Sequence, residues 1–97
     1  MPTNVLLIQV DQMHAGCLST LGNPNVRTPN LDRLAGQGVH FTHAVCQNSI
    51  CMPSRTSMLS GQYPSTNRQF GFIGRCRRDM PWLPLTFQSA GYRTAAY

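Results

Sequence analysis

The sequence contains no lysine and no glutamate, and its acids are limited to 3 aspartates, so charged side chains make up 11% of the 97 residues. Globular domains average about a quarter. A free-standing chain of this length would bury only roughly 60–65% of its unfolded surface and would expose many positions of the kind charge normally occupies. The shortage therefore points to a slice of something larger. The net charge of +5 comes from the scarcity of acids, since the 8 basic side chains, all arginine, are unremarkable in number. This weakens a nucleic-acid reading, and no nucleic-acid partner is expected. Arg75, Arg77 and Arg78 form the one basic cluster and read as a solvated loop, with contact to an anion or a nucleic acid as the alternative.

Long apolar runs are missing as well. No stretch of about 18 apolar residues exists, which excludes a membrane-spanning helix in this sequence, and no membrane partner is expected. Met1, Pro2, Thr3 and Asn4 lead into Val5 without a basic segment, so the start does not read as a signal peptide and a cytoplasmic location is expected. Cys17, Cys46, Cys51 and Cys76 include no CxxC pair, and a reducing compartment disfavours disulfides. His40, His43, Cys46 and Cys51 could supply four zinc ligands. If residues 39–45 form a strand, however, the two histidines point to opposite faces, and joint chelation is disfavoured.

What is present excludes a disordered chain, because 41% of the residues are hydrophobic, and 8 Gly with 7 Pro imply turns and loops rather than a helical bundle. One domain or part of one is the expectation. Residues Asn4 to Val10 make a nearly continuous apolar run rich in branched side chains, as in a strand covered on both faces in a parallel sheet. Asp11 falls at its carboxyl end, where open α/β sheets bind ligands; capping of the next turn is the competing use of an Asp there. Residues 13–27 read as loop with room for one helical turn. Thr28 as N-cap, Pro29 as first residue and Leu31 with Leu34 as an apolar stripe predict a helix through Ala35, ended by Gly36 or Gly38. Asp32 favours the positive end of that helix and reads as structural.

Val39 to Val45 predicts a second strand, and residues 62–82 read as loop. Leu83 to Ala90 predicts a short helix closed by Gly91, after which Tyr92 to Tyr97 turns β-prone. With a helix from Pro53 toward Ser60 included, the order is strand, helix, strand, helix, helix, strand. Such alternation argues for an α/β fold, yet two or three strands are too few to complete a sheet covered on both sides.

Residues 46–61 carry the chemistry. Pro53 suits the first position of a helix that stops at Gly61, which puts Cys51 just before its start, among backbone N–H groups that stabilise negative charge. Arg55 in the first turn would oppose the helix dipole at a cost of roughly 0.3–1 kcal/mol, which makes sense if it faces an anion or a buried polar group.

Cys51-Met52-Pro53-Ser54-Arg55, followed by Leu59-Ser60-Gly61, resembles the signature of the sulfatases, in which the cysteine of C-x-P-S-R is converted enzymatically to formylglycine. The opening strand ending in Asp11 looks like that family's first metal-binding strand, and Thr28 to Leu34 looks like its first helix. Gly91 to Ala96 resembles the start of the second sulfatase signature. The resemblance covers essentially all 97 residues, about the first fifth of a typical member. It implies that residues 1–97 are the N-terminal part of a single catalytic domain: a portion of an alkaline-phosphatase-like mixed sheet flanked by helices, incomplete on its own.

The activity implied is hydrolysis of a small-molecule or carbohydrate sulfate ester. Formylglycine made from Cys51 by a formylglycine-generating enzyme would act as a gem-diol, one hydroxyl attacking sulfur and the other later expelling sulfate without a second attack at sulfur. A divalent cation, calcium first and Mg2+ or Mn2+ as alternatives, would be held by Asp11, Gln12 and the residue made from Cys51. Arg55 would hold the formylglycine hydroxyls with its rigid fork of donors.

Two departures from the family pattern matter. Many sulfatases have two adjacent acids where this chain has Asp11-Gln12; an amide oxygen still ligates calcium but brings one less negative charge. Choline sulfatase-like and phosphonate monoester hydrolase-like members resemble this version. Gln62 stands where a basic residue often follows the glycine, while Ser54, in place of the Ala common in phosphonate hydrolases, favours sulfate esters. Two alternatives stay open: a phosphonate or phosphate ester hydrolase on the same scaffold, and a non-catalytic fragment.

Overall fold

The computed structural model describes residues 3–97. Met1 and Pro2, on which part of the reading of the chain's start falls, lie outside them. The chain divides into two compact units, Met1–Ala44 and Val45–Tyr97, which are described separately.

In the first unit, residues 3–10 run without regular structure into a turn at Asp11 and Gln12. Two short 3₁₀ turns follow, Ala15–Cys17 and Ser19–Leu21, then helix α1, Pro29–Gln37. Pro29 opens α1 as predicted and Gly38 closes it, its N–H donating to Ala35. Thr28 stands at the N-cap position but makes no side-chain cap bond. Instead Thr28 Oγ1 accepts from Ser19 N at 3.0 Å and donates to Asp32 Oδ1 at 3.1 Å. Ser19 Oγ donates to Asp32 Oδ2 at 2.7 Å, and Thr20 N donates to Asp32 Oδ1 at 3.1 Å. Asp32 is thus structural, as its position implied: its two oxygens join the second 3₁₀ turn to α1. Asp32→Ala removes the acceptor for three donors, and an acid-free α1 is expected to cost about 1–3 kcal/mol, read as a lower urea midpoint of the whole protein. The Leu31 and Leu34 stripe exists but meets no core here; Leu34 is 61% exposed and α1 buries no residue.

The second unit holds α2 (Cys51–Ser60), α3 (Pro64–Asn67) and α4 (Leu83–Ser89). Helices α3 and α4 both pack on α2. Gly61 ends α2 at φ 66°, a left-handed conformation that suits glycine. The predicted last helix is found at Leu83–Ser89, with Ala90 as its cap. Gly91, at φ 87°, turns the chain so that Tyr92 N donates to Phe87 O at 3.0 Å. Edge-to-face contact between the two rings, centroids 5.0 Å apart, seals that end. Helix α3 was not foreseen: Pro64 supplies its first residue, but a single turn is too short to leave a period inside the apparent loop 62–82.

The interior of this unit is polar. Met80, 6% exposed, is its buried hydrophobic residue, whereas Ser57, Ser60, Asn67 and Gln69 are buried to 3% exposure or less. Asn67 uses both amide hydrogens and its oxygen: Nδ2 donates to Ser57 Oγ at 3.3 Å and to Gln62 O at 3.0 Å, while Oδ1 accepts from Gln69 N at 2.8 Å. These bonds join α2, α3 and the following loop.

No strand forms among the described residues, which corrects the expectation at 4–10, 39–45 and 92–97. A strand's backbone groups need a ladder partner, and a covered strand needs layers on both faces. Neither is present. Val5, Leu6, Leu7, Ile8 and Val10 are 54–83% exposed, so the apolar run has its composition without its cover. The α/β reading is met here by its helices, not by a mixed sheet. Among the described residues no helix is long and apolar enough to cross a membrane.

Candidate functional site

Helix α2 carries Cys51 and Arg55. Asn48 prepares its start: Ile50 N donates to Asn48 Oδ1 at 2.8 Å, and Cys46 Sγ donates to Asn48 O at 3.1 Å. The helix begins at Cys51, two residues earlier than the placement of Pro53 at its first position predicted. Proline is tolerated at any of the first positions because those N–H groups have no intrahelical acceptor to lose. The first backbone bond of the helix is Ser54 N to Ile50 O, 3.1 Å. The N–H groups of Cys51 and Met52 therefore remain directed out of the helix start, as a site for negative charge requires.

The earlier start also moves Arg55 to the fifth helical position. The dipole penalty is confined to the first turn, so the expected cost of placing an arginine there disappears. Cys51 and Arg55, four residues apart, share one helical face, and helical side chains lean toward the N-terminus, which brings the guanidinium toward Cys51. Both are exposed, while Pro53, Ser57 and Ser60 form the buried side of the helix.

Asp11 and Gln12 belong to the first unit, both exposed on the turn that follows the apolar run. Gln12 adopts φ 55°, a left-handed conformation that costs a non-glycine residue about 1–2 kcal/mol. Among the described residues, no three His, Cys, Asp or Glu side chains gather as a metal site.

A feature that the sequence did not disclose is a cleft of about 280 Å³ lined by Gln47, Ser57, Met58, Gly61, Gln62 and Tyr63, toward the C-terminal end of α2. Gln62 Oε1 is buried without a hydrogen-bond partner. In the sequence, its place after the helix-ending glycine shows only the absence of a base. Arg77 and Asp79 form an exposed bidentate pair, with Nε to Oδ1 at 3.1 Å and Nη2 to Oδ2 at 2.6 Å. Hydrogen bonding from Arg77 holds the Asp79 carboxyl below its ordinary range, and the same bond raises the Arg77 guanidinium.

Residues 3–97 match the family described as Sulfatase. An ulvan-active sulfatase of Formosa agariphila is 38% identical over 92 residues, covering 95% of this chain and 18% of that protein. Arylsulfatase H of Homo sapiens is 38% identical over 104 residues, covering 94% of this chain and 18% of that protein. Iduronate 2-sulfatase of Homo sapiens is 38% identical over 94 residues, covering 94% and 17%. The chain spans about a fifth of the length of these curated relatives. No solved structure gives a significant match. With a family match that runs from residue 3 to the last residue and relatives that align along nearly all of it, the chain belongs to the sulfatase family.

Proposed function

We propose that residues 1–97 are the N-terminal part of one catalytic domain of a sulfuric ester hydrolase, built on an alkaline-phosphatase-like mixed sheet, in which Cys51 is converted to formylglycine. The observation that carries this reading is the placing of Cys51 and Arg55 on the exposed face at the start of α2, within the Cys51 to Arg55 motif of a sulfatase-family chain. Hydrated, the aldehyde made from Cys51 supplies two hydroxyls, one to attack sulfur and one whose deprotonation expels sulfate, a second step that a thiol does not offer. The chain's own groups then act by position. The free N–H groups of the α2 start favour negative charge beside residue 51, and Arg55 offers a rigid fork of donors to oxygens held there.

Asp11 and Gln12 fit a hard divalent cation by their donor chemistry, since both present oxygen. Calcium is the first choice and magnesium or manganese the alternatives. A cation held by Asp11, Gln12 and the modified Cys51 would neutralise charge on a sulfate oxygen. The left-handed backbone of Gln12 supports this role, because strain of this kind persists where a functional geometry requires it. The donor set is incomplete in these residues, and the remaining ligands would come from the rest of the protein. The substrate is a small-molecule or carbohydrate sulfate ester.

The whole protein, co-expressed with a formylglycine-generating enzyme, should yield a Cys51 peptide whose mass corresponds to an aldehyde, and it should turn over an aryl sulfate faster than an aryl phosphonate monoester. Faster phosphonate turnover would move the protein to the phosphonate hydrolase reading that Gln12 favours. An unmodified Cys51 with no turnover of either ester would leave a non-catalytic chain.

A further inference from the structure

Asn67 is fixed through its backbone as well as its side chain. Its N–H donates to Tyr63 O at 3.0 Å, its carbonyl accepts from Arg77 N at 3.3 Å, and Oδ1 accepts from Gln69 N at 2.8 Å. The two amide hydrogens then hold α2 at two points: Gln62 O, just past the helix end, at 3.0 Å, and Ser57 Oγ, on its side, at 3.3 Å. Asn67 is 0% and Ser57 3% exposed, so any chain packed around them in the whole protein buries them further.

A helix held only at its end can still roll about its own axis. Ser57 lies on the side away from Arg55, about 200° round at about 100° per residue, and a bond there opposes the roll. Side-chain tips stand about 5–6 Å from a helix axis, so a roll of about 10° carries those of residues 51 and 55 by about 1 Å. A displacement of that size at a reacting group can cost about a hundredfold in rate. Cys51 and Arg55 roll together, which keeps their own spacing and changes only their relation to groups outside α2. Ser60 is equally buried at 3% but works differently. Its hydroxyl donates to Thr56 O at 2.6 Å and accepts from Gln62 N at 3.3 Å, so these bonds stay within α2 and the turn that ends it.

We propose that Asn67 is a positioning residue for the chemistry at residue 51, acting through Ser57 by holding the roll of α2. The proposal rests on the sulfatase reading for the reaction, and one readout is independent of turnover. In the whole protein, with rates divided by the aldehyde content of residue 51, Ser57→Ala should lower kcat on an aryl sulfate about tenfold. KM should stay within about twofold, because the groups on α2 that meet sulfate move as a set. The melting temperature should stay within a few degrees, since alanine's better helix propensity offsets much of the lost bond. Ser60→Ala, which also removes a buried hydroxyl from α2, should leave kcat within about twofold. Amide hydrogen exchange across residues 64–69 should quicken in Ser57→Ala and not in Ser60→Ala.

An unchanged kcat in Ser57→Ala would overturn the proposal. So would an equal fall in Ser60→Ala, which would make both serines packing residues and nothing more. Exchange across residues 64–69 that matches the parent in Ser57→Ala would overturn it too, by showing that the bond does not tie α3 to α2. If the parent protein carries no aldehyde and hydrolyses no sulfate ester, the sulfatase reading fails, while the exchange comparison still decides whether Asn67 holds the helix.

Discussion

Cys51→Ala in the whole protein is expected to lower sulfate-ester turnover by at least about a thousandfold, with KM for an aryl sulfate changed much less. The substitution removes the thiol from which the aldehyde is made and leaves Arg55 and the N–H groups of the α2 start in place. Cys51 is exposed at the first position of α2 among the described residues, and its change to alanine removes a single heavy atom, so its loss should leave the melting temperature within a degree or two. That separation of activity from stability is the informative result. A variant retaining a tenth of parental turnover would show that the chemistry lies elsewhere. Cys51→Ser distinguishes the modified residue from a simple nucleophile: a serine hydroxyl that restored turnover would remove the need for an aldehyde.

The second large effect is one of stability. Asn67→Ala is expected to destabilise the whole protein by about 3–5 kcal/mol, measured as a fall in urea midpoint, while Ser65→Ala on the exposed side of α3 should stay within about 0.5 kcal/mol. The loss at Asn67 is large because the residue is 0% exposed and its removal orphans Gln69 N, Gln62 O and one bond of Ser57 together. Asn67→Asp should be no better. It keeps an acceptor for Gln69 N but turns an oxygen toward the carbonyl of Gln62, where the amide was a donor.

Legibility in the sequence followed the range of the interactions involved. Helix α1 could be read at its start because Pro29 fixes a local conformation, and the end of α2 because Gly61 must be left-handed there. The start of α2 lies two residues before the position that Pro53 suggests, since proline marks a range of permitted early positions rather than one. The apolar run at 4–10 has strand composition, but a ladder is a property of two segments, and no strand forms among the described residues. Cys51 and Arg55 were visible because motif and helical spacing are both local. Asn67 was invisible as an anchor: an Asn in a Pro- and Gly-rich stretch looks like any turn residue until its partners ten and five residues away are placed.

The polar underside of α2 also governs aim. An apolar face tolerates rotation, because one aliphatic contact exchanges for another at small cost. Each residue of α-helix turns the azimuth by about 100°, so a helix seated on grease could swing its opposite face through a wide arc. Ser57, bonded to the Asn67 amide at 3.3 Å, favours one azimuth over its neighbours. The face that begins at Cys51, catalytic on the proposed reading, is therefore steadied by a hydrogen bond on the other side of the same helix, and loosening that bond should blur the direction in which residue 51 points before it melts the fold.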